Sequence, residues 1–108
     1  MKPLVWLGSS HDDICRFPEA ARQEAGFELY QIQCGHEPSD WEPVLTVGTG
    51  VKEVRIHGRN EYRVMYVAKF AEAVYVLHAF VKKTQQTSKA DIELARTRLK
   101  QLIASRQR

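Results

Sequence analysis

The sequence predicts an α/β fold of the α+β type: a small, twisted, mainly antiparallel sheet with an N-terminal helical hairpin and a C-terminal helix. Three observations carry this prediction. Between Val51 and Val81 the chain holds three β-rich runs, separated by turns at His57-Gly58-Arg59-Asn60 and Lys69-Phe70-Ala71-Glu72. Apolar residues recur at helical spacing in two places, at Ala21, Ala25, Leu29 and Ile32 and at Ile92, Ala95, Leu99 and Leu102/Ile103. The 108 residues suit one domain, residues 1–108, able to bury a core without a metal or disulfide staple.

The elements follow in chain order. Lys2 to Leu7 reads as a first strand, with Val5 and Trp6 as β-formers. Gly8 ends it, and Ser9 or Ser10 is a natural N-cap for a first helix. Asp13 stands three residues after Ser10 in the capping-box position, and Asp12 and Asp13 suit the positive helix N-terminus. Pro18 can open a second helix. That helix runs through EAARQEAGFELYQIQ, where Gly26 weakens it by about 1 kcal/mol relative to Ala. The two helices form a hairpin, and a two-layer arrangement sets the helices on one face of the sheet. Cys34 to Gly50 reads as a long connection with Trp41, Val44, Leu45 and Val47 as apolar anchors. It is either a packed surface loop or a lip beside a binding face. Strands near Val51–His57, Tyr62–Ala68 and Ala73–Val81 form an antiparallel meander, because their turns are short. Ser88 opens the last helix, whose polar face carries Lys89, Glu93, Arg96, Lys100 and Gln101.

Composition excludes several classes. No apolar run approaches the roughly 20 residues of a membrane span. The N-terminal MKPLVWLGSS lacks the length and cleavage site of a signal peptide, so a cytoplasmic location is expected. Cys15 and Cys34 have neither disulfide-framework nor metal-ligand spacing, and no metal or cofactor is expected. The net charge is +3. Acidic residues gather in the first half, whereas the second half carries a run of cations from Lys52 to Arg108. That asymmetry points to a polyanionic partner.

Strand alternation sharpens the point. Glu53, Arg55 and His57 share one face of their strand, and Arg63 shares a face with Met65 and Val67. If Arg55 and Arg63 lie on the same open face they form a cationic floor. A guanidinium suits phosphate, since its planar fork donates paired hydrogen bonds and stays charged. The alternative is that each arginine pairs with an acidic neighbour, such as Glu53 or Glu61, and is structural.

The pieces Glu53-Val54-Arg55, Tyr62-Arg63-Val64-Met65-Tyr66, Val76-Leu77-His78-Ala79-Phe80 and Lys82-Lys83-Thr84-Gln85 stand in this order before the last helix. Together they resemble the phage-derived, HigB-like branch of the RelE superfamily of toxins. The resemblance implies a RelE-like fold and a toxin of a type II toxin–antitoxin system. It implies ribosome-dependent, metal-independent cleavage of messenger RNA, in which the RNA 2′-hydroxyl attacks the adjacent phosphate. It also makes Arg63, Lys82 and Lys83 catalytic candidates, and Lys52, Arg55, His57, Thr84 and Gln85 RNA-binding candidates. The implied partners are a helix-turn-helix antitoxin, the ribosome and its message, with operator DNA reached only through the antitoxin and no membrane. The chain departs from the family at Thr87-Ser88-Lys89-Ala90-Asp91, where RelE itself has an aromatic or basic residue for acid–base work. His57 and His78 are candidates for that role by chemistry alone. A second reading is a catalytically degenerate module that binds an antitoxin-like protein or RNA. A third is a phage structural or accessory protein.

Overall fold

A computed structural model describes residues 1–107. Arg108, counted above with the basic half, lies outside the described residues. The elements are β1 (Leu4–Trp6), α1 (Ser10–Cys15), α2 (Glu19–Gln33), β2 (Trp41–Pro43), β3 (Val51–His57), β4 (Glu61–Val67), β5 (Val74–Lys82) and α3 (Lys89–Arg106). The strands make one sheet in the order β1-β5-β4-β3-β2. β2 to β5 pair antiparallel, and β1 pairs parallel to β5 along the edge. The α+β class, the mainly antiparallel sheet, the N-terminal helix pair and the C-terminal helix all form as the sequence predicts.

The helical stripe of α2 is buried as its spacing requires. Ala21, Ala25, Leu29 and Ile32 pack with Ile14 and Phe17 on Val54, Ile56, Tyr62, Val64 and Tyr66. Burying one such leucine or isoleucine contributes roughly 1.5–3 kcal/mol, so this face is the main stabilising layer. α1, α2 and the sheet form the two-layer body.

The placement of α3 differs from the expectation that all helices share one face. Ala95, Leu99 and Leu102 pack on Val51, Met65, Val67, Tyr75 and Leu77, which are the alternate residues of the same strands. β4 is apolar on both sides over this stretch, so its second face needs a cover of its own. Leu102, not Ile103, completes the stripe; Ile103 is exposed.

A bulge in β5 adjusts this second face. Met65 pairs with His78 and Tyr66 with Val76, which leaves Leu77 as the extra residue. Leu77 joins the core beneath α3. His78 hydrogen-bonds through Nε2 to Asp91 Oδ1 at 2.7 Å. Asp91 stands in the first turn of α3, where its backbone N–H donates to Ser88 Oγ as the cap predicts. Other polar ties hold the rest of the helix. Arg98 donates to Leu77 O at 2.8 Å and to Ser9 Oγ at 3.1 Å. Arg106 donates to both oxygens of Glu72 at 2.6 and 3.2 Å and lies over the Phe70 ring.

Of the two serines expected to cap α1, Ser9 takes the position, with its hydroxyl donating to Asp13 Oδ2 at 2.7 Å and not accepting from a backbone N–H. Ser10 is fully buried and donates to Val76 O. The Cys34–Gly50 connection contains a further strand, β2, whose Trp41, Glu42 and Pro43 pair with Val54, Glu53 and Lys52. Proline is tolerated there because β2 is an edge strand. Glu28 fixes the approach to β2. It is 4% exposed and accepts from Ser39 N at 2.6 Å and Ser39 Oγ at 2.8 Å.

Candidate functional site

The β3–β4–β5 register sets the candidate residues in a grid on the face that α3 only partly covers. Arg55 pairs with Arg63, and Arg63 with Phe80. One step toward the β3–β4 turn, His57 pairs with Glu61 and Glu61 with Lys82. One step the other way, Glu53 pairs with Met65 and Met65 with His78. Arg55 and Arg63 therefore share a face, the arrangement that alternation within each strand left open. Glu42 and Asp40 join them from β2 and the residues just before it.

The patch is not a bare cationic floor. Arg63 is 5% exposed and its guanidinium is held on three sides. Nη1 donates to Glu61 Oε1 at 3.3 Å and to Tyr62 O at 3.0 Å, and Nε lies 3.7 Å from Glu53 Oε1. Arg55 is half-buried, paired with Glu42 and 4.0 Å from Glu53 Oε1. Both pairings have the form of the structural alternative in the sequence. The reason is register: Glu53, Glu61 and Glu42 fall beside the arginines once the strands align. Four carboxylates thus interleave with Arg55, Arg63, Lys82 and His57.

Three of these groups have displaced proton affinities. Burial raises the Glu53 pKa, against the opposing pull of Arg63, Arg55 and Lys82. His57 is raised by its hydrogen bonds to Asp40 and then Glu61. Its Nε2 lies 2.6 Å from Asp40 Oδ2 and its Nδ1 lies 2.8 Å from Glu61 Oε1. Two carboxylate partners are both satisfied only by two N–H donors, so this geometry favours the imidazolium form. Glu61 is lowered mainly by that same bond. Polar capacity is also left over: Glu53 Oε2, Arg55 Nε, Arg63 Nε and His78 Nδ1 are buried without a hydrogen-bond partner.

The remaining candidates divide. Lys82 ends β5 across from Glu61 and acts electrostatically on Glu53. Lys83, Thr84 and Gln85 are exposed in the segment that leads to Ser88, with Thr84 Oγ1 donating to Gln86 O at 2.5 Å. Lys52 does not share the arginine surface. It belongs to the alternate set of β3, bonds Glu37 at 3.0 Å and lies over the Trp41 ring. His78 is 5% exposed, stacked on Phe80 and tied to Asp91, which makes it an anchor of α3. Sequence reasoning missed Glu53 as a chemical group in its own right. The available signal was a carboxylate placed between Lys52 and Val54 in an otherwise burying strand. Among the described residues no cluster of three or more His, Cys, Asp or Glu side chains is placed to hold a metal ion. No helix among them is long and apolar enough to cross a membrane.

A groove of about 610 Å³ runs beside this grid, between α3 and the β2–β3 connection. Glu42, Glu53, Pro43, Leu45, Ile92 and Arg96 contribute to its walls.

These features define a small α+β protein with an ion-paired arginine–glutamate site on its sheet. The profile of the Gp49-like phage-derived proteins (DUF891) matches residues 12–100, from α1 into α3. The chain belongs to that family, which is RelE-like and toxin-like and occurs in toxin–antitoxin systems. No curated protein matches the chain significantly.

Proposed function

We propose that this chain is the toxin of a type II toxin–antitoxin system and cleaves messenger RNA on the translating ribosome without a metal. Membership of a toxin-like family supports the first part. The observation that carries the second is the buried Glu53–Arg63 pair, flanked by Arg55, Lys82 and the His57 imidazolium. RNA cleavage of this type needs a base for the 2′-hydroxyl, cations for the charge gathering on phosphorus, and an acid for the departing 5′-oxygen. Glu53, with its raised proton affinity, suits the base. Arg55, Arg63 and Lys82 suit the phosphate, with Lys83 beside them, while Thr84 and Gln85 can donate to sugar or base edges. His57 or a lysine of the pair suits the acid. In the step, the 2′-oxygen bonds to phosphorus as Glu53 takes its proton. The bond to the 5′-oxygen breaks as the acid protonates it, leaving a cyclic phosphate and a free 5′-hydroxyl.

The carboxylates have a part in this reading. Glu42 and Glu61 hold the guanidiniums in place until a phosphate, which makes the same charge-assisted bonds, replaces them. An antitoxin of the helix-turn-helix type is the proposed partner and would carry any contact with operator DNA. One observation favours a second reading, the degenerate binding module: Arg63 is already enclosed and paired in the free chain.

The test is controlled expression in a bacterial host, with growth and message 5′ ends followed together. Growth arrest with new internal cleavages is expected. Glu53→Gln is expected to lower cleavage by about 10²–10⁴-fold, the usual contribution of a positioned base. Arg55→Gln should act in the same direction. Normal growth and intact messages from soluble, folded chain would overturn the nuclease reading and leave the binding module.

A further inference from the structure

The face opposite the arginine patch holds a second charged pocket that the reaction above does not use. Its volume is about 310 Å³. It lies where the start of the chain, the end of α2 and the β3–β4 pair meet, with Ile32 and Tyr66 among its lining. Lysines reach it from three separate parts of the chain: Lys2 before β1, Lys52 from β3 and Lys69 after β4. His36 and Glu37 complete the charged and titratable lining.

The partners of these lysines differ in kind. Lys52 meets a carboxylate, with Nζ 3.0 and 3.3 Å from the oxygens of Glu37. Lys2 and Lys69 meet no carboxylate: both bond backbone carbonyls, and Lys69 also lies over the Phe70 ring. Lys2 Nζ donates to Ala68 O at 2.5 Å, and Lys69 Nζ donates to Thr49 O at 3.1 Å. A carbonyl fixes an ammonium group but does not neutralise it. Each of these two groups has three donors and spends one this way. Glu28 acts electrostatically on Tyr66 but does not line the pocket, and its oxygens bond Ser39. Two positioned ammonium groups without a carboxylate partner thus line one pocket, and an anion bound there would be attracted by both.

The backbone is also adapted to this arrangement. Gly50 lines the pocket at φ +84°, and a Cβ there would sit 2.7 Å from Lys69 Cδ. Glycine alone leaves the Lys69 stem free to cross it. Lys2 is held from the other side: its N–H donates to Gln33 O and its carbonyl accepts from Gln33 Nε2. Burial keeps the Tyr66 phenol protonated well past neutrality, so it too is a donor.

We infer that this pocket binds a phosphate monoester, with the phosphate held by Lys2 and Lys69 and the organic part resting on Ile32 and Tyr66. A dianionic phosphate matches two ammonium groups without a carboxylate partner. The volume equals that of about ten waters, more than a bare phosphate fills, so a sugar-sized group fits with it. The site needs no nuclease activity and stands apart from the proposed reaction.

Calorimetric titration of the whole chain with ribose 5-phosphate and with ribose tests this. Ribose 5-phosphate should bind and ribose should not, with affinity falling as salt rises. Lys2→Gln and Lys69→Gln should each weaken binding about tenfold, the loss expected for one charge-assisted bond. Lys89→Gln, remote on α3, should leave it unchanged. A tetranucleotide with and without a 5′-phosphate identifies the source. Tighter binding of the phosphorylated strand than of ribose 5-phosphate assigns the site to an RNA end, and equal binding assigns it to a free sugar phosphate. Equal affinity for ribose, full affinity in both lysine variants, or no phosphate binding at millimolar concentration would each overturn the inference.

Discussion

Replacing Arg63 by methionine isolates what its charge does. Methionine keeps much of the apolar stem and removes the guanidinium. In the native chain that group is 5% exposed and borders Glu53, which is 3% exposed. Without it, Glu53 retains Arg55 at 4.0 Å and the weaker pull of Lys82, and Oε2 is already unpartnered. Removing one member of a buried pair costs about 3–5 kcal/mol, a large share of the 5–15 kcal/mol that holds a domain together. With m near 1.5 kcal/mol/M, the urea midpoint should fall by about 2–3 M. The loss has a direction in pH. The Glu53 pKa is raised in the folded chain, and losing Arg63 raises it further. A raised carboxyl weakens the fold above its folded pKa and ceases to do so once protonated. The deficit of Arg63→Met should therefore be largest at pH 8 and shrink toward pH 4. Urea unfolding followed by circular dichroism at several pH values measures it. A deficit under 1 kcal/mol at pH 8, or one of constant size down to pH 4, would refute the reasoning. The same result governs how any Arg63 variant is read in a test of the proposed nuclease activity, since a variant that does not fold says nothing about catalysis.

Three further outcomes are expected. The imidazolium of His57 is favoured by folding, so its tie to Asp40 and Glu61 stabilises below the ordinary histidine pKa and fades as pH rises through the raised one. His57→Gln should lower the melting temperature at pH 5.5 more than at pH 8.5, and by under about 1 kcal/mol because the pair is exposed. Glu72, held by Arg106 and Tyr75, has its pKa lowered to about 2. Its stabilisation exists above the ordinary carboxyl pKa and is lost as pH falls toward 2, so Glu72→Gln should lower the melting temperature at pH 6 and converge with the parent near pH 2. Gly48→Ala should destabilise by about 1–3 kcal/mol in chemical unfolding, because the new Cβ would clash with Leu99 Cδ2 in the core beneath α3.

What was legible in the sequence was what local pattern dictates. The stripe from Ala21 to Ile32 and the β3–β4–β5 meander were visible because periodicity and turn length depend on neighbours in the chain. β2 was not, because three residues ending in proline make a strand only by pairing with β3. Nor was the face that α3 covers, since Met65 and Val67 look like the ordinary alternate residues of a half-buried strand. At the site, alternation gave the face of each arginine within its own strand, and the β3–β4 register then put Arg55 and Arg63 on one face. The Arg63–Glu53 contact depends on cross-strand register, and the Arg55–Glu42 pair depends on a strand that was not foreseen. Lys52 shows the converse: it sits three residues from Arg55, and parity alone sends it to the other side.

The pairing of β1 with β5 has a consequence for how this chain is made. Leu4 to Trp6 have their strand partners at Val74 to Val76, and the Leu7 N–H and Ser10 hydroxyl both reach Val76 O. The hydrogen bonds of β1 to β5 join residues about seventy positions apart, so they close only after Val74 to Val76 have been made. Arg98 extends the wait, because its bond to Ser9 joins the start of α1 to the middle of the last helix. The meander β3–β4–β5 can assemble from neighbouring strands, but the β1 edge is sealed only once β5 and α3 are in place.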